Sequence, residues 1–125
     1  MGSRILSLST AALGLALHLY TFVRHLGPDT IWFSVGLLVW SCLPYLFCLA
    51  AAFAFRSWLP SFLGAGVAFL LDAATFNAVF IHPLHSTAAI SLLWAPLYNL
   101  FVVPVGLLLG WLISLLIRAH SVAAL

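Results

Sequence analysis

The sequence predicts an all-α integral membrane protein, a four-helix bundle whose helices run up-down-up-down. Its 125 residues are 66% hydrophobic and only 5% charged, whereas a soluble domain carries about 25% charged residues. So few charged side chains cannot cover a water-soluble globule of this length, which makes lipid the predicted solvent. The apolar residues also fall into four long stretches that short polar turns separate.

Each stretch is close to or above the roughly 20 residues that an α-helix needs to cross a bilayer. A helix bonds its own backbone polar groups inside lipid, whereas barrel strands would show about ten residues of alternating pattern. The predicted spans cover residues 5–23, 31–55, 59–81 and 87–117. The whole chain, 1–125, is interpreted as a single transmembrane domain.

The first two spans are separated by a polar turn. The first span ends before Arg24, and its length and basic end favour a retained helix over a cleaved signal peptide. Gly27 and Pro28 mark the turn that follows. Asp29 or Thr30 is predicted to cap the second span, because a side-chain oxygen there can accept a hydrogen bond from a free backbone amide.

The last two spans follow similar turns. Pro60 suits the first turn of the third span, where its missing N–H would be unpaired in any case. The fourth span is long enough to predict a tilted or kinked helix, with Pro96 and Pro104 as the kink positions. Short turns make consecutive helices antiparallel.

The arginines predict the orientation. Arg4, Arg56 and Arg118 fall on one side of the membrane, and Arg24 falls on the other. Because positive charge is retained in the cytoplasm, both termini are predicted to be cytoplasmic in a multi-pass protein of the cell's inner membrane. The net charge of +2 is too small and too scattered for nucleic-acid binding.

One polar side chain per span is predicted to lie near the middle of the bilayer. Asp72 lies in the middle of the third span, and a carboxylate at that depth usually faces the bundle interior with a partner. Counting along the other spans places His18, Cys42 and Asn99 at a similar depth, with Tyr45 among the polar residues close by. The layer is either a proton, ion or small-ligand site or a hydrogen-bond network that sets helix register.

Three histidines near the outer turns are candidate metal ligands. His82 and His85 form an H-x-x-H pair, and His25 lies in the other outer turn. Three imidazoles can hold a transition metal, although histidines also occur as interfacial side chains without a metal. Haem is not predicted, because only His18 lies well within a span. No cofactor is predicted.

Small residues mark predicted helix-packing faces. Gly106 and Gly110 are four residues apart on the fourth span, and Gly64 and Ala68 form a similar face on the third. Such faces let two helices approach closely. They can pack within the chain or against another subunit, and the sequence does not choose between the two.

Part of the C-terminal half resembles a group of small, uncharacterised bacterial four-helix inner-membrane proteins. The resemblance consists of His85-Ser86-Thr87-Ala88-Ala89, Leu93, Pro96-Leu97, Asn99, Pro104-x-Gly106 and Gly110. His85 stands where that group has a serine. The resemblance implies a bacterial inner membrane and no particular activity.

Three functions follow as hypotheses. The preferred one is a non-enzymatic membrane protein that acts through helix–helix association, as a homo-oligomer or a small subunit of a larger membrane complex. The second is a transporter or channel for a proton, an ion or a small solute, centred on Asp72 with His18 and Asn99. The third is an intramembrane enzyme or a metal- or cofactor-binding protein. It ranks last, because no catalytic constellation or phosphate loop stands out in the sequence.

Overall fold

The computed structural model describes residues 2–25, 31–55, 57–82 and 90–123, and these ranges are almost entirely helical. The helices are α1 (Gly2–His25), α2 (Ile31–Ala54), α3 (Leu59–Phe76) and α4 (Ser91–Ala123). A π-helical turn, Asn77–Ile81, continues α3. The all-α prediction is confirmed, and each of these helices is long and apolar enough to cross a membrane.

The helices coincide with the predicted spans except at their ends. α1 begins earlier than predicted, and α4 continues to Ala123 rather than stopping near residue 117. The hydroxyl of Ser121 donates to the carbonyl of Ile117, one turn back along α4. The predicted spans end where the apolar residues end. α1 and α4 are longer because helical hydrogen bonding continues into the polar residues that follow. The predicted caps Asp29 and Thr30 lie outside the described residues.

Prolines lie inside two of the helices. α4 contains the predicted kink positions, Pro96 and Pro104, and it continues on both sides of each. α2 contains Pro44, which is buried and was not among the predicted positions. Pro60 lies in the first turn of α3, as predicted, where the helix loses no hydrogen bond to it.

The interior of the bundle is built mainly from small side chains. The buried cluster contains several of them, together with Tyr45 and Val103: Ala11, Cys48, Ala65 and Ala68. Large apolar side chains such as Trp32, Phe53 and Phe101 are exposed on the outside. Small side chains allow the helix axes to approach closely.

The predicted small-residue faces meet where α3 contacts α4. A Cβ atom added at Gly106 would lie 3.0 Å from the Cα atom of Gly64, and one added at Gly110 would lie 2.6 Å from the Cα atom of Pro60. Ala68 is fully buried in the core of the bundle. The structure therefore uses Gly64, Gly106 and Gly110 for packing within the chain.

α1 and α3 are joined at two points along their length. The hydroxyl of Ser7 donates to that of Ser61 at 2.6 Å, and Ser61 donates to the carbonyl of Cys48 on α2 at 2.7 Å. Farther along, His18 contacts Asp72. Both pairs are separated by 54 residues, so the two helices keep a constant offset.

Candidate functional site around Asp72

Side chains from three other helices converge on the carboxylate of Asp72, on α3. The hydroxyl of Tyr45, on α2, donates to Oδ2 at 2.6 Å. Nε2 of His18, on α1, lies 2.9 Å from the same oxygen. Nδ2 of Asn99, on α4, donates to Oδ1 at 2.8 Å. One carboxylate therefore joins all four helices.

The carboxylate is shielded from its surroundings, but its histidine partner is less so. The side chain of Asp72 is 2% exposed and that of His18 is 16% exposed. An ionised carboxylate accepts hydrogen bonds only, and the contacts from Tyr45, His18 and Asn99 suit that form. The Asp72–His18 pair carries no net charge when His18 is protonated and one negative charge when it is neutral.

Tyr45 reaches Asp72 because α1 has a glycine where the two helices cross. A methyl group at Gly14 would overlap the ring of Tyr45, which is fully buried. The ring of His18 packs edge-on against it, with the ring centroids 5.7 Å apart. Gly14 and His18 thus hold the phenol in position for its hydrogen bond to the carboxylate.

Asn99 leaves one hydrogen-bonding atom unused. Its side chain is completely buried, and its Oδ1 atom has no hydrogen-bond partner among the described residues. A buried unpaired acceptor costs about 1–3 kcal/mol. Rotation of the amide by half a turn would present Oδ1 to Asp72, where it could accept a hydrogen bond from a protonated carboxyl group. Asn99 can therefore serve both protonation states of the carboxyl group.

Of the four residues predicted for the polar layer, the structure brings His18, Asp72 and Asn99 together. On α2 the donor is Tyr45 rather than the predicted Cys42, which is half-buried. Side chains on a helix lean toward its N-terminus, so the long phenol of Tyr45 extends back to the level of Cys42. Depth counted from backbone positions ignores this reach. The sequence does contain a signal for Tyr45: it is a long polar side chain that lies one helical turn after the predicted layer.

The predicted metal ligands are not assembled in the described part of the chain. His82 is exposed, with its Nδ1 atom 3.3 Å from Oδ1 of Asn77. The side chains of His25 and His85 lie outside the described residues. Among the residues that are described, no group of three or more histidine, cysteine or acidic side chains is placed to hold a metal ion.

A cavity of about 290 Å³ lies beside Asp72, and all four helices line it. Its polar lining includes Asp72 and His18, together with Ser41 on α2 and Thr75 on α3. Most of the remaining lining is apolar. The cavity occupies the half of the bundle that contains the end of α1, the start of α2, the end of α3 and the start of α4.

The π-helical turn contributes to the wall of this cavity. Its Phe80 lines the cavity together with Phe76, the last residue of α3, and the two rings are 5.0 Å apart. The amide of His82 donates to the carbonyl of Asn77 at 2.8 Å, the longer hydrogen-bond step of a π-helix. π-Helical turns are rare in proteins, and those that do occur are often found at functional sites.

Comparison of the chain with known protein families, with curated proteins and with solved structures finds no match. The resemblance of residues 85–110 to small bacterial membrane proteins stays a prediction. The geometry around Asp72 is therefore the feature that points to a function.

Proposed function

We propose that the protein is an integral membrane protein that binds a small solute in the cavity beside Asp72 and carries it across the bilayer. The helices would cross the membrane in alternating directions, with both termini on the cytoplasmic side of an inner membrane. The apolar outer surface supports insertion, because large apolar side chains such as Phe53 and Phe101 are exposed on it. The constant 54-residue offset between α1 and α3 supports a parallel arrangement of those two helices.

The observation that carries this proposal is a carboxylate on α3 that lies in a cavity wall and is contacted from each of the other three helices. Charged groups within a bilayer are expensive and usually mark a pathway or a site. Because each of the other three helices holds one partner of Asp72, any movement of those helices relative to α3 changes the hydrogen bonds of the carboxylate. Binding at this position is thereby coupled to the arrangement of the bundle, which is what a carrier requires.

The first test asks whether a small apolar molecule reaches Asp72. The chain has two acidic side chains, Asp29 and Asp72, so Asp29→Asn leaves one for the apolar carboxyl reagent dicyclohexylcarbodiimide. Peptide mass spectrometry of the protein in liposomes should show the label on Asp72. Ala95→Leu, which narrows the cavity, should slow labelling several-fold, whereas Ala50→Leu on the exposed side of α2 should not. The carbodiimide reacts with protonated carboxyl groups, so labelling is measured from neutral to acidic pH. An Asp72 that stays unlabelled throughout would contradict the proposal.

The second test measures transport. The protein in liposomes on a solid-supported membrane is exposed to concentration jumps of small organic cations and anions. At least one class should give a transient current that Asp72→Asn abolishes while the protein stays helical and monodisperse. If neither the organic cations nor the organic anions gave a current, Asp72 would have no role in transport, and this would contradict the proposal.

A second candidate function is association with another subunit. Trp32, Gly36 and Val39 are exposed on α2 at helical spacing, and no atom lies within 4 Å of a Cβ position at Gly36. This stripe is not used for packing within the described residues, unlike the glycines between α3 and α4. Native mass spectrometry in mild detergent tests it: Gly36→Leu should convert an oligomer to a monomer, and a monomeric wild type would exclude this function.

A further inference from the structure

We propose that the solute is a small lipophilic organic cation, a quaternary or tertiary ammonium group on an apolar body. This inference rests on the proposed function and specifies its substrate class. It draws on three separate features of the cavity: the charge of its wall, the aromatic rings around it and its size.

The charge of the lining favours a cation. Asp72 is the acidic side chain in the wall, and His18 is the basic one; no arginine is among the lining residues. The other two partners of the carboxylate, Tyr45 and Asn99, are uncharged. The wall therefore carries one negative charge when His18 is neutral and no net charge when His18 is protonated, and it is positive in neither state. In an apolar interior a charge acts strongly on another charge, and an anion would meet Asp72 with no arginine to offset it.

Aromatic rings surround the space next to the carboxylate. Four phenylalanines from three helices line the cavity: Phe22, Phe33, Phe76 and Phe80. The faces of aromatic rings attract cations, and aromatic cages are a recurring way to bind quaternary ammonium groups. The leucines that complete the wall suit an apolar body attached to such a group. This combination fits a lipophilic cation better than an inorganic ion, which would need several oxygen ligands.

The hydrogen bonds that Asp72 already accepts narrow the kind of ammonium group that the site can bind. A carboxylate has about four lone-pair positions, and three contacts already reach Asp72 from Tyr45, His18 and Asn99. A quaternary or tertiary ammonium group needs at most one hydrogen bond, whereas a primary ammonium group has three donors to satisfy. The site therefore attracts the charge without offering many acceptors.

The size of the cavity suits a small solute. Its volume is about 290 Å³, close to the lower end of the roughly 300–1,000 Å³ range of pockets that bind small molecules. Benzyltrimethylammonium is a probe of suitable size. Its uncharged isostere, neopentylbenzene, has carbon in place of the nitrogen and the same shape.

The test compares these two probes on the Asp29→Asn protein in nonionic detergent, with protection of Asp72 from dicyclohexylcarbodiimide as the readout. The cation should slow labelling of Asp72 at least tenfold at saturation, and the isostere should have no more than a small effect. Calorimetric titration should show that Asp72→Asn no longer binds the cation. The uncharged isostere partitions into the detergent, so its concentration around the protein is higher than that of the cation. This favours protection by the isostere and makes the expected preference for the cation harder to observe.

Aromatic variants keep the inference testable if Asp72→Asn fails to fold. Phe76→Leu and Phe80→Leu should each weaken binding of benzyltrimethylammonium about fivefold. Phe101→Leu is the matched control, because Phe101 is exposed on α4 and is not part of the cavity. Equal affinities in all three variants would contradict a role for the rings in binding the cation.

The outcomes separate this inference from the proposed function. Equal protection by both probes, or a current carried by organic anions alone, would overturn the cation assignment and leave solute binding at Asp72 intact. Failure of both probes to protect, together with failure of the reagent to label Asp72, would overturn both proposals.

Discussion

At the scale of single residues, the hydroxyl of Tyr45 is the shortest contact that the carboxylate of Asp72 makes. The bond of 2.6 Å falls in the range of charge-assisted O–H···O⁻ hydrogen bonds. Because Tyr45 is fully buried, removal of its hydroxyl takes a protein donor away from the carboxylate without exposing the ring. Asp72 would then keep its contacts to His18 and Asn99 only, with one oxygen less well stabilised.

The first prediction follows from this contact. Tyr45→Phe should lower the free energy of unfolding by about 1–2 kcal/mol, in the range of hydrogen bonds to charged groups and between membrane helices. Tyr98→Phe makes the same chemical change on an exposed ring of α4 and should be close to neutral. Thermal unfolding in detergent, followed by circular dichroism, measures both. Equal effects would mean that the hydroxyl of Tyr45 has no special role.

The second prediction concerns the glycine that accommodates the same ring. Gly14→Ala places a methyl group where the Tyr45 ring lies, so the ring must move away from Asp72. We expect a loss of about 1–3 kcal/mol, typical of overpacking.

Gly66→Ala is the matched control for Gly14→Ala, because no atom lies within 4 Å of its Cβ position. It should be neutral or stabilising, since alanine is the better helix former by up to about 1 kcal/mol. If the two substitutions lower the unfolding temperature equally, the contact between Gly14 and Tyr45 is not what limits the site.

At the scale of helices, the glycines that pack α3 on α4 differ in whether a Cβ atom would meet backbone or side-chain atoms. A Cβ atom at Gly110 would lie 2.6 Å from the Cα atom of Pro60, whereas one at Gly64 would lie 3.1 Å from the end of the Leu107 side chain. A leucine side chain can rotate away, but a backbone atom moves only if the whole helix moves. The two glycines are therefore unequal in what they tolerate.

The third prediction ranks these two positions. Gly110→Ala should lower the free energy of unfolding by about 2–3 kcal/mol, near the upper end of the overpacking range, and Gly64→Ala by about 1 kcal/mol or less. Unfolding of the two variants side by side in one detergent gives the order. The reverse order would show that Leu107, and not the backbone of Pro60, is the rigid neighbour.

At the scale of the whole molecule, the arginines predict how the bundle is oriented in a membrane. Arg4 and Arg118 lie near the start of α1 and toward the end of α4. In an alternating bundle these two ends share one side, and Arg24 lies on the other. Positive charge favours the cytoplasm for the side that carries more of it.

The fourth prediction is that both termini are cytoplasmic. Alkaline phosphatase, which is active only after export, should be inactive when fused after Leu125 and active when fused after His82. A fluorescent protein that matures only in the cytoplasm should show the opposite pattern. An active phosphatase after Leu125 would reverse the orientation and place the cavity at the cytoplasmic end.

Several properties of this protein could be predicted from its order of residues alone. Sparse charge and four long apolar stretches predicted the helices, because the need to bond backbone groups and to match lipid is a property of each segment by itself. Depth along a helix is also a property of one segment. For this reason His18, Asp72 and Asn99 could be assigned to a common level before any contact between them was known.

The tertiary structure decided how the helices are rotated and which faces meet. Cys42 and Tyr45 are one turn apart on the same face of α2, and only the contact between helices shows that Tyr45 is the donor to Asp72. The glycines of α3 and α4 suited either an internal or an external contact, and packing placed them within the chain. The cavity depends on side chains from all four helices. Rotation and lateral packing depend on interactions between segments, which a pattern read along one segment does not contain.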